Sequence, residues 1–236
     1  NLDRVRQRLA AAWAAASRSP AEVTLVAVTK TYPAADVLRL ARLGVTDVGE
    51  NRDQEASAKA AELAGLGAAG VGAADVGVAW HFLGRLQRNK CRSVLRYAAA
   101  VHSVDTVALA GALGAAAAGA DRTVDVLVQV SVDGDPARGG AVVGGDRAVD
   151  LERVLAAVSA APALRLRGVM AVAPRDWEPE SAFARLATIV ADVRREYPQA
   201  TWLSAGMSGD LEAAITHGST HVRVGSALLG KRPALG

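Results

Sequence analysis

The sequence predicts an α/β protein built as a single (β/α)8 TIM barrel, and three observations carry that prediction. Eight short apolar runs alternate with stretches of helical period. The apolar runs lack the polar alternation of antiparallel sheets, so they suit a parallel sheet buried on both faces. The chain has 236 residues, and a barrel of about 250 residues is routinely one domain. The expected domain is therefore 1–236, whole. A doubly wound open sheet is the competing architecture.

Residues 2–18 read as a helix, with Leu2, Val5, Leu9 and Trp13 on one face. The β-branched run TLVAVT (24–29) is the first strand, and Lys30 follows it. Residues 34–43 have helical period and stop at Gly44. A short strand over 46–50 precedes an Ala-rich helix over 52–64. The stretch GLGAAGVGAADVG (65–77) has no period and reads as a flexible surface loop. Strands follow at 79–84 and 100–104, with a helix at RNKCRSVLRYA between them. A small-residue helix over 106–119 leads to the clearest strand, VDVLVQVSV (124–132). After the Gly-rich loop 133–140, helix 146–160, strand 166–172 and helix 178–196 follow. The chain then offers strand 201–205, helix 209–217 and strand 220–225.

Hydrophobic residues make up 51% of the chain and aromatics only 4%, so the core must be built from Ala, Val and Leu. The 27 basic and 24 acidic residues are too balanced to argue for nucleic acid. No run reaches the roughly 18 uncharged apolar residues of a membrane helix, and the charged N-terminal stretch lacks a signal peptide's apolar core. One cysteine, Cys91, permits no intramolecular disulfide, and a reducing, cytoplasmic location is expected. The histidines lack metal-ligand spacing, so no metal is expected. GxSxG and P-loop motifs are both missing.

Ligands of such barrels bind at the carboxyl ends of the strands. Residues expected at that mouth are Lys30, Glu50, Asn51, His81, His102, Asp105, Met170, Pro174, Ser204 to Asp210, Arg223, Gly225 and Ser226. Of the four lysines, only Lys30 ends a predicted strand. Desolvation there favours a neutral amine, which can attack an aldehyde; a solvated loop lysine is the alternative. The turns GMSGD (206–210) and GSALLG (225–230) each follow a strand. Unpaired N–H groups at such places attract anions, with Ser208 and Ser226 adding hydroxyls. Ser208 as a helix cap is the structural alternative. Arg223, alone in THVRVGS, is costly unless paired, and offers only donors, to a ring nitrogen or a carboxylate.

Six stretches resemble one family, the pyridoxal phosphate homeostasis proteins: LVAVTKTYP (25–33), DVGENRDQEA (47–56), WHFLGRLQRNK (80–90), VHSVD (101–105), GVMAVAP (168–174) and LSAGMSGDLEAAITHGSTHVRVGSALLG (203–230). The details DVGENRDQEA and GKRP look actinobacterial. The resemblance implies a barrel like the N-terminal domain of alanine racemase, with pyridoxal 5′-phosphate (PLP) as a Schiff base on Lys30. It implies phosphate contacts from Ser208, Gly209, Gly225 and Ser226, with Arg223 facing the pyridine nitrogen. Asn51 and His81 would lie near the ring. Ala205 stands where many relatives carry Met, a change of packing rather than of anchoring chemistry.

The same resemblance implies a monomeric cytoplasmic PLP carrier, active in vitamin B6 homeostasis and without an established catalytic activity. PLP-dependent client enzymes are its expected partners. An arginine donor keeps the pyridine nitrogen unprotonated and weakens the electron sink, and an open mouth favours exchange. A racemase's second domain is not expected. The alternatives are a PLP-dependent amino-acid racemase of low activity and a barrel that binds a phosphorylated metabolite without an imine.

Overall fold

A computed structural model describes residues 1–68 and 77–230. Eight strands close a parallel barrel in sequence order: β1 Thr24–Val28, β2 Asp47–Glu50, β3 Ala79–Phe82, β4 Ala98–Val104, β5 Val124–Val130, β6 Leu164–Ala171, β7 Trp202–Ser204 and β8 His221–Val224. The ring is completed by β1 against β8, with Val26 level with Arg223. The open sheet is thereby excluded.

Helices α1 (Leu2–Ala15), α2 (Ala34–Arg42), α3 (Asp53–Ala68), α4 (Cys91–Val94), α5 (Val107–Ala118), α6 (Leu151–Ser159), α7 (Pro179–Glu196), α8 (Leu211–Thr216) and α9 (Ser226–Leu229) accompany the strands. Their apolar stripes bury the outer strand face. On α7 the stripe is Ala182, Phe183, Leu186, Ile189, Val190 and Val193, spaced at three and four residues. Two core clusters result. One lies between the helices and strands β3 to β7, and the other joins α1 and α2 to β1, β2 and β8. Ala, Val and Leu dominate both, as the shortage of aromatics requires.

Strand parity separates two layers. Val124, Val126, Val128 and Val130 of β5 face the helices, so the fully buried Leu127 faces the axis. The interior also holds polar groups, because His81, His102, Ser204, His221 and Arg223 are buried and meet across the barrel.

Three expected elements differ beyond their end residues. The helix read into RNKCRSVLRYA shrinks to a 3-10 turn, Arg88–Lys90, and the single turn of α4, because β4 already begins at Ala98. The helix expected over 146–160 starts at Leu151, where the Asp150 carboxylate accepts the Arg153 N–H at 3.1 Å. The residues before it are held by bridges Val130–Ala141 and Val142–Asp150. The loop expected over 65–77 overlaps the end of α3, which runs to Ala68; residues 69–76 of that loop lie outside the described residues. The chain also adds α9, a short helix directly after β8.

Among the described residues no helix is long and apolar enough to cross a membrane, and no group of three His, Cys, Asp or Glu side chains is placed to hold a metal ion.

Candidate functional site

The candidate lysine, the two glycine turns and Arg223 lie on or directly after the adjacent strands β7, β8 and β1. Lys30 is the second residue of a turn in which the Tyr32 N–H donates to the Thr29 carbonyl at 3.0 Å. Thr31, the third residue, has φ +75°, as a type II turn requires. A β-branched residue there costs on the order of 1–3 kcal/mol and persists only where its surroundings hold it. The holder is Glu55 of α3, whose carboxylate accepts the Thr31 N–H.

Lys30 is exposed and has no ion pair among the described residues. The expected desolvation is therefore corrected: the turn lifts the amine onto the open rim, where water reaches it. Glu50 is also corrected. It points outward through the wall into α3, wholly buried. It accepts the Thr29 hydroxyl at 2.6 Å and the Lys59 ammonium at 2.8 Å. Burial raises its pKa more than those two bonds lower it, and its second oxygen, Oε2, has no partner among the described residues.

The two glycine-rich turns meet as neighbours. The Ala227 N–H at the start of α9 approaches the Ser208 hydroxyl at 3.4 Å. Gly206 makes the first turn feasible, with φ +89° and a site where a Cβ would stand 2.6 Å from the Ala214 Cβ. The Asp210 carboxylate accepts the Met207 N–H at 2.5 Å, which leaves the N–H groups of Ser208 and Gly209 without a hydrogen-bond partner among the described residues. The Ser226 N–H, first of α9, is likewise unpartnered. Arg8 of α1 fixes the turn from outside by donating to the Ser208 carbonyl at 2.8 Å while it grips both oxygens of Glu212. Sequence reading missed Arg8, since 200 residues separate it from Ser208.

Gly225 packs on the Val28 carbonyl, where a Cβ would stand at 3.3 Å. Lys30, two residues past the end of β1, therefore lies beside the second turn. Ser208, Gly209, Gly225, Ser226 and Lys30 thus form one rim segment.

Below it, Arg223 is buried and donates to the Ser204 hydroxyl and the Ala171 carbonyl, each at 2.8 Å. No carboxylate lies within ion-pair distance of it among the described residues; Asp210 attracts it only from further away. Burial lowers its pKa to about 10, so the guanidinium remains charged at neutral pH. A buried cation with only neutral acceptors suits an electron-rich ring nitrogen or an anion.

His81 and His102, expected at the mouth, lie in the interior beneath it. His81 joins Asp47, the first residue of β2, at 3.0 Å, and His102 at 2.9 Å. His102 joins Ser204 at 3.0 Å. A continuous chain therefore runs Asp47–His81–His102–Ser204–Arg223. Burial holds the pKa of His102 well below the ordinary histidine value and lowers that of His221 to about 4. Asn51 is half-buried after β2. Its carbonyl presses on Gly84, where a Cβ would collide at 2.0 Å.

Clefts open at the rim among the described residues. One of about 690 Å3 lies between the loops after β2, β3 and β4 and includes Asn51 and Asp105. Another, of about 520 Å3, lies by Gln129, Val172 and Met207. Tyr32 turns its hydroxyl to the Gly230 carbonyl at 2.9 Å.

An eight-stranded parallel barrel with polar groups at the carboxyl ends of its strands defines a (β/α)8 barrel with a ligand site at that end. The family model "Alanine racemase, N-terminal domain" matches residues 1–233. The fold alone is shared with an alanine racemase of Clostridium difficile (TM-score 0.62, 14% identity, 97% of this chain and 56% of that one). Closer likeness is found to the pyridoxal phosphate homeostasis protein of Mycobacterium tuberculosis, 49% identical over 98% of this chain and 91% of that protein. PipY of Synechococcus elongatus, solved with PLP bound, has TM-score 0.78 and 34% identity over 94% of this chain and 100% of that one. The chain belongs to the pyridoxal phosphate homeostasis protein family.

Proposed function

We propose that this protein binds pyridoxal 5′-phosphate at the β7–β8–β1 rim, takes part in intracellular PLP homeostasis, and holds the cofactor on Lys30 for release to client enzymes. The observation that carries the reading is one juxtaposition: an exposed lysine amine, a group of unpartnered N–H donors, and a buried guanidinium without a carboxylate. These match in turn an aldehyde, a phosphate and a pyridine nitrogen. Lys30 would hold the cofactor, which when bound would supply an aldehyde carbon as the electrophile for the amine.

The N–H groups of Ser208, Gly209 and Ser226 receive the phosphate, Gly225 lets the ligand approach the backbone, and Ser226 adds its hydroxyl. Arg223 donates to the ring nitrogen without giving up its proton. Asn51 flanks the ring, and His81 acts from beneath, through His102 and Ser204. The exposure of Lys30 admits water and an incoming amine, which suits exchange. Tyr32, the tyrosine at this end, is already engaged as a donor to Gly230, and this too favours the carrier reading over a racemase.

The test is borohydride reduction of the PLP-treated protein followed by peptide mapping. The expected result is a pyridoxyl adduct on Lys30 and loss of the visible imine absorbance in Lys30→Ala. An adduct placed consistently on another lysine would overturn the assignment. Multiple-turnover exchange of Cα hydrogen into deuterated water from L-amino acids would instead support the racemase.

A further inference from the structure

Both neighbours of Lys30 in the chain are linked to one buried side chain outside the barrel wall, Thr29 directly and Thr31 through Glu55. Lys59 of α3 is 6% exposed. Its ammonium donates to the Thr29 carbonyl, to Glu50 Oε1 and to Glu55 Oε1, each at 2.8 Å. An ammonium has three donors, so all are committed. The two carboxylates complete the grip on the turn: Glu50 accepts the Thr29 hydroxyl, and Glu55 accepts the Thr31 N–H. The backbone on each side of Lys30 is thereby pinned, including the left-handed conformation of Thr31.

We infer that Lys59 is a positioning residue for Lys30: with Glu50 and Glu55 it clamps the Thr29–Tyr32 turn and so aims the Lys30 amine at the ligand site. This rests on the PLP reading above and assigns Lys59 no contact with the ligand. Held by Thr29, Glu50 and Glu55, the Lys59 nitrogen is no alternative nucleophile. The geometry also explains why a threonine stands at a turn position that favours glycine. A glycine would relax the turn, whereas Thr31 held by Glu55 gives it one conformation.

The inference separates two quantities that a merely structural role would move together. Pyridoxine 5′-phosphate carries an alcohol in place of the aldehyde, so its binding reports the phosphate and ring contacts alone. Glu55→Gln, Lys59→Met and Lys59→Arg are measured for three properties: affinity for pyridoxine 5′-phosphate, the rate of borohydride-trappable adduct formation on Lys30 with PLP, and amide hydrogen exchange at Thr31 and Tyr32. In Glu55→Gln and Lys59→Met, affinity for the alcohol is expected to be unchanged. Adduct formation should slow by about tenfold or more, as misplaced reacting groups do, and exchange at the two amides should rise. Lys59→Arg should recover part of the rate.

Equal loss of both ligands, or an unchanged trapping rate with unchanged exchange, would overturn the inference. Should Lys59→Met fail to fold, Glu55→Gln still decides, because its half-buried carboxamide leaves Lys59 paired with Glu50. If the unaltered protein forms no adduct on Lys30, the parent reading fails instead. The exchange measurement tells the two failures apart, since it needs no cofactor.

Discussion

Arg223 sits where a positive charge is hardest to justify by stability alone. It is buried, and its acceptors are a hydroxyl and a carbonyl, both neutral. Replacing a buried ion pair by apolar residues is often neutral or stabilising, and among the described residues Arg223 has no charged partner that its removal would strand. Arg223→Leu is therefore expected to leave the melting temperature unchanged or raised, while PLP affinity falls by about tenfold, equivalent to roughly 1.4 kcal/mol. Thermal unfolding and equilibrium titration of the same preparation check both signs. A fall in both would mean that the guanidinium serves the fold and not the ligand. Such a residue is partly legible in sequence, since an arginine inside THVRVGS demands a reason. The identity of its partners is not, because Ser204 and Ala171 reach it from β7 and β6.

The turn between β7 and α8 is the element on which phosphate recognition depends. Its shape rests on Gly206, whose positive φ and tight contact with Ala214 admit no side chain cheaply. Gly206→Ala is expected to destabilise the protein by about 1–3 kcal/mol and to weaken binding of inorganic phosphate and of PLP together. Chemical denaturation and phosphate titration check this. A milder lesion on the same element is Arg8→Ala. It releases the Ser208 carbonyl and Glu212 from outside the rim. Affinity for PLP should fall by a few-fold while the Lys30 adduct still forms, because the turn loosens but its donors remain; stopped-flow trapping with borohydride separates the two effects. The glycines of 206–210 and 225–230 are visible as a pattern, and their place after strands seven and eight follows from counting. Arg8 could not be read, because nothing in its own helix marks it apart from the other N-terminal arginines.

For the whole molecule, the buried histidines set the response to acid. Burial holds the His221 pKa at about 4, against an ordinary value of 6.5, and lowers that of His102 in the same direction. In each case the unfolded chain takes up protons at a higher pH than the folded barrel. Stability is therefore expected to fall as pH drops from about 6.5 and to go on falling until the folded state itself titrates near 4. For His221 the full effect is on the order of 3 kcal/mol. Urea unfolding between pH 7 and 4 measures the slope, and His221→Gln should flatten it. An unchanged slope would show that His221 is hydrated and not shielded in the interior.

The order of elements was determined by the sequence alone. Short apolar runs without polar alternation alternate with helical periods, and a chain of that pattern and length closes as a parallel barrel. That order also placed Lys30 and the two glycine turns at one end, because a residue after a strand in such a barrel has nowhere else to go. Which way a strand residue faces was left to the tertiary structure. Both faces of these strands are buried, so apolar patterning carries no parity, and Glu50 could equally have lined the mouth. Only closure of the ring turned it outward to Lys59 and turned His81 and His102 inward beneath Arg223. Those contacts join residues that are distant in the chain, and hydrogen-bond geometry between distant residues leaves no local periodicity to read.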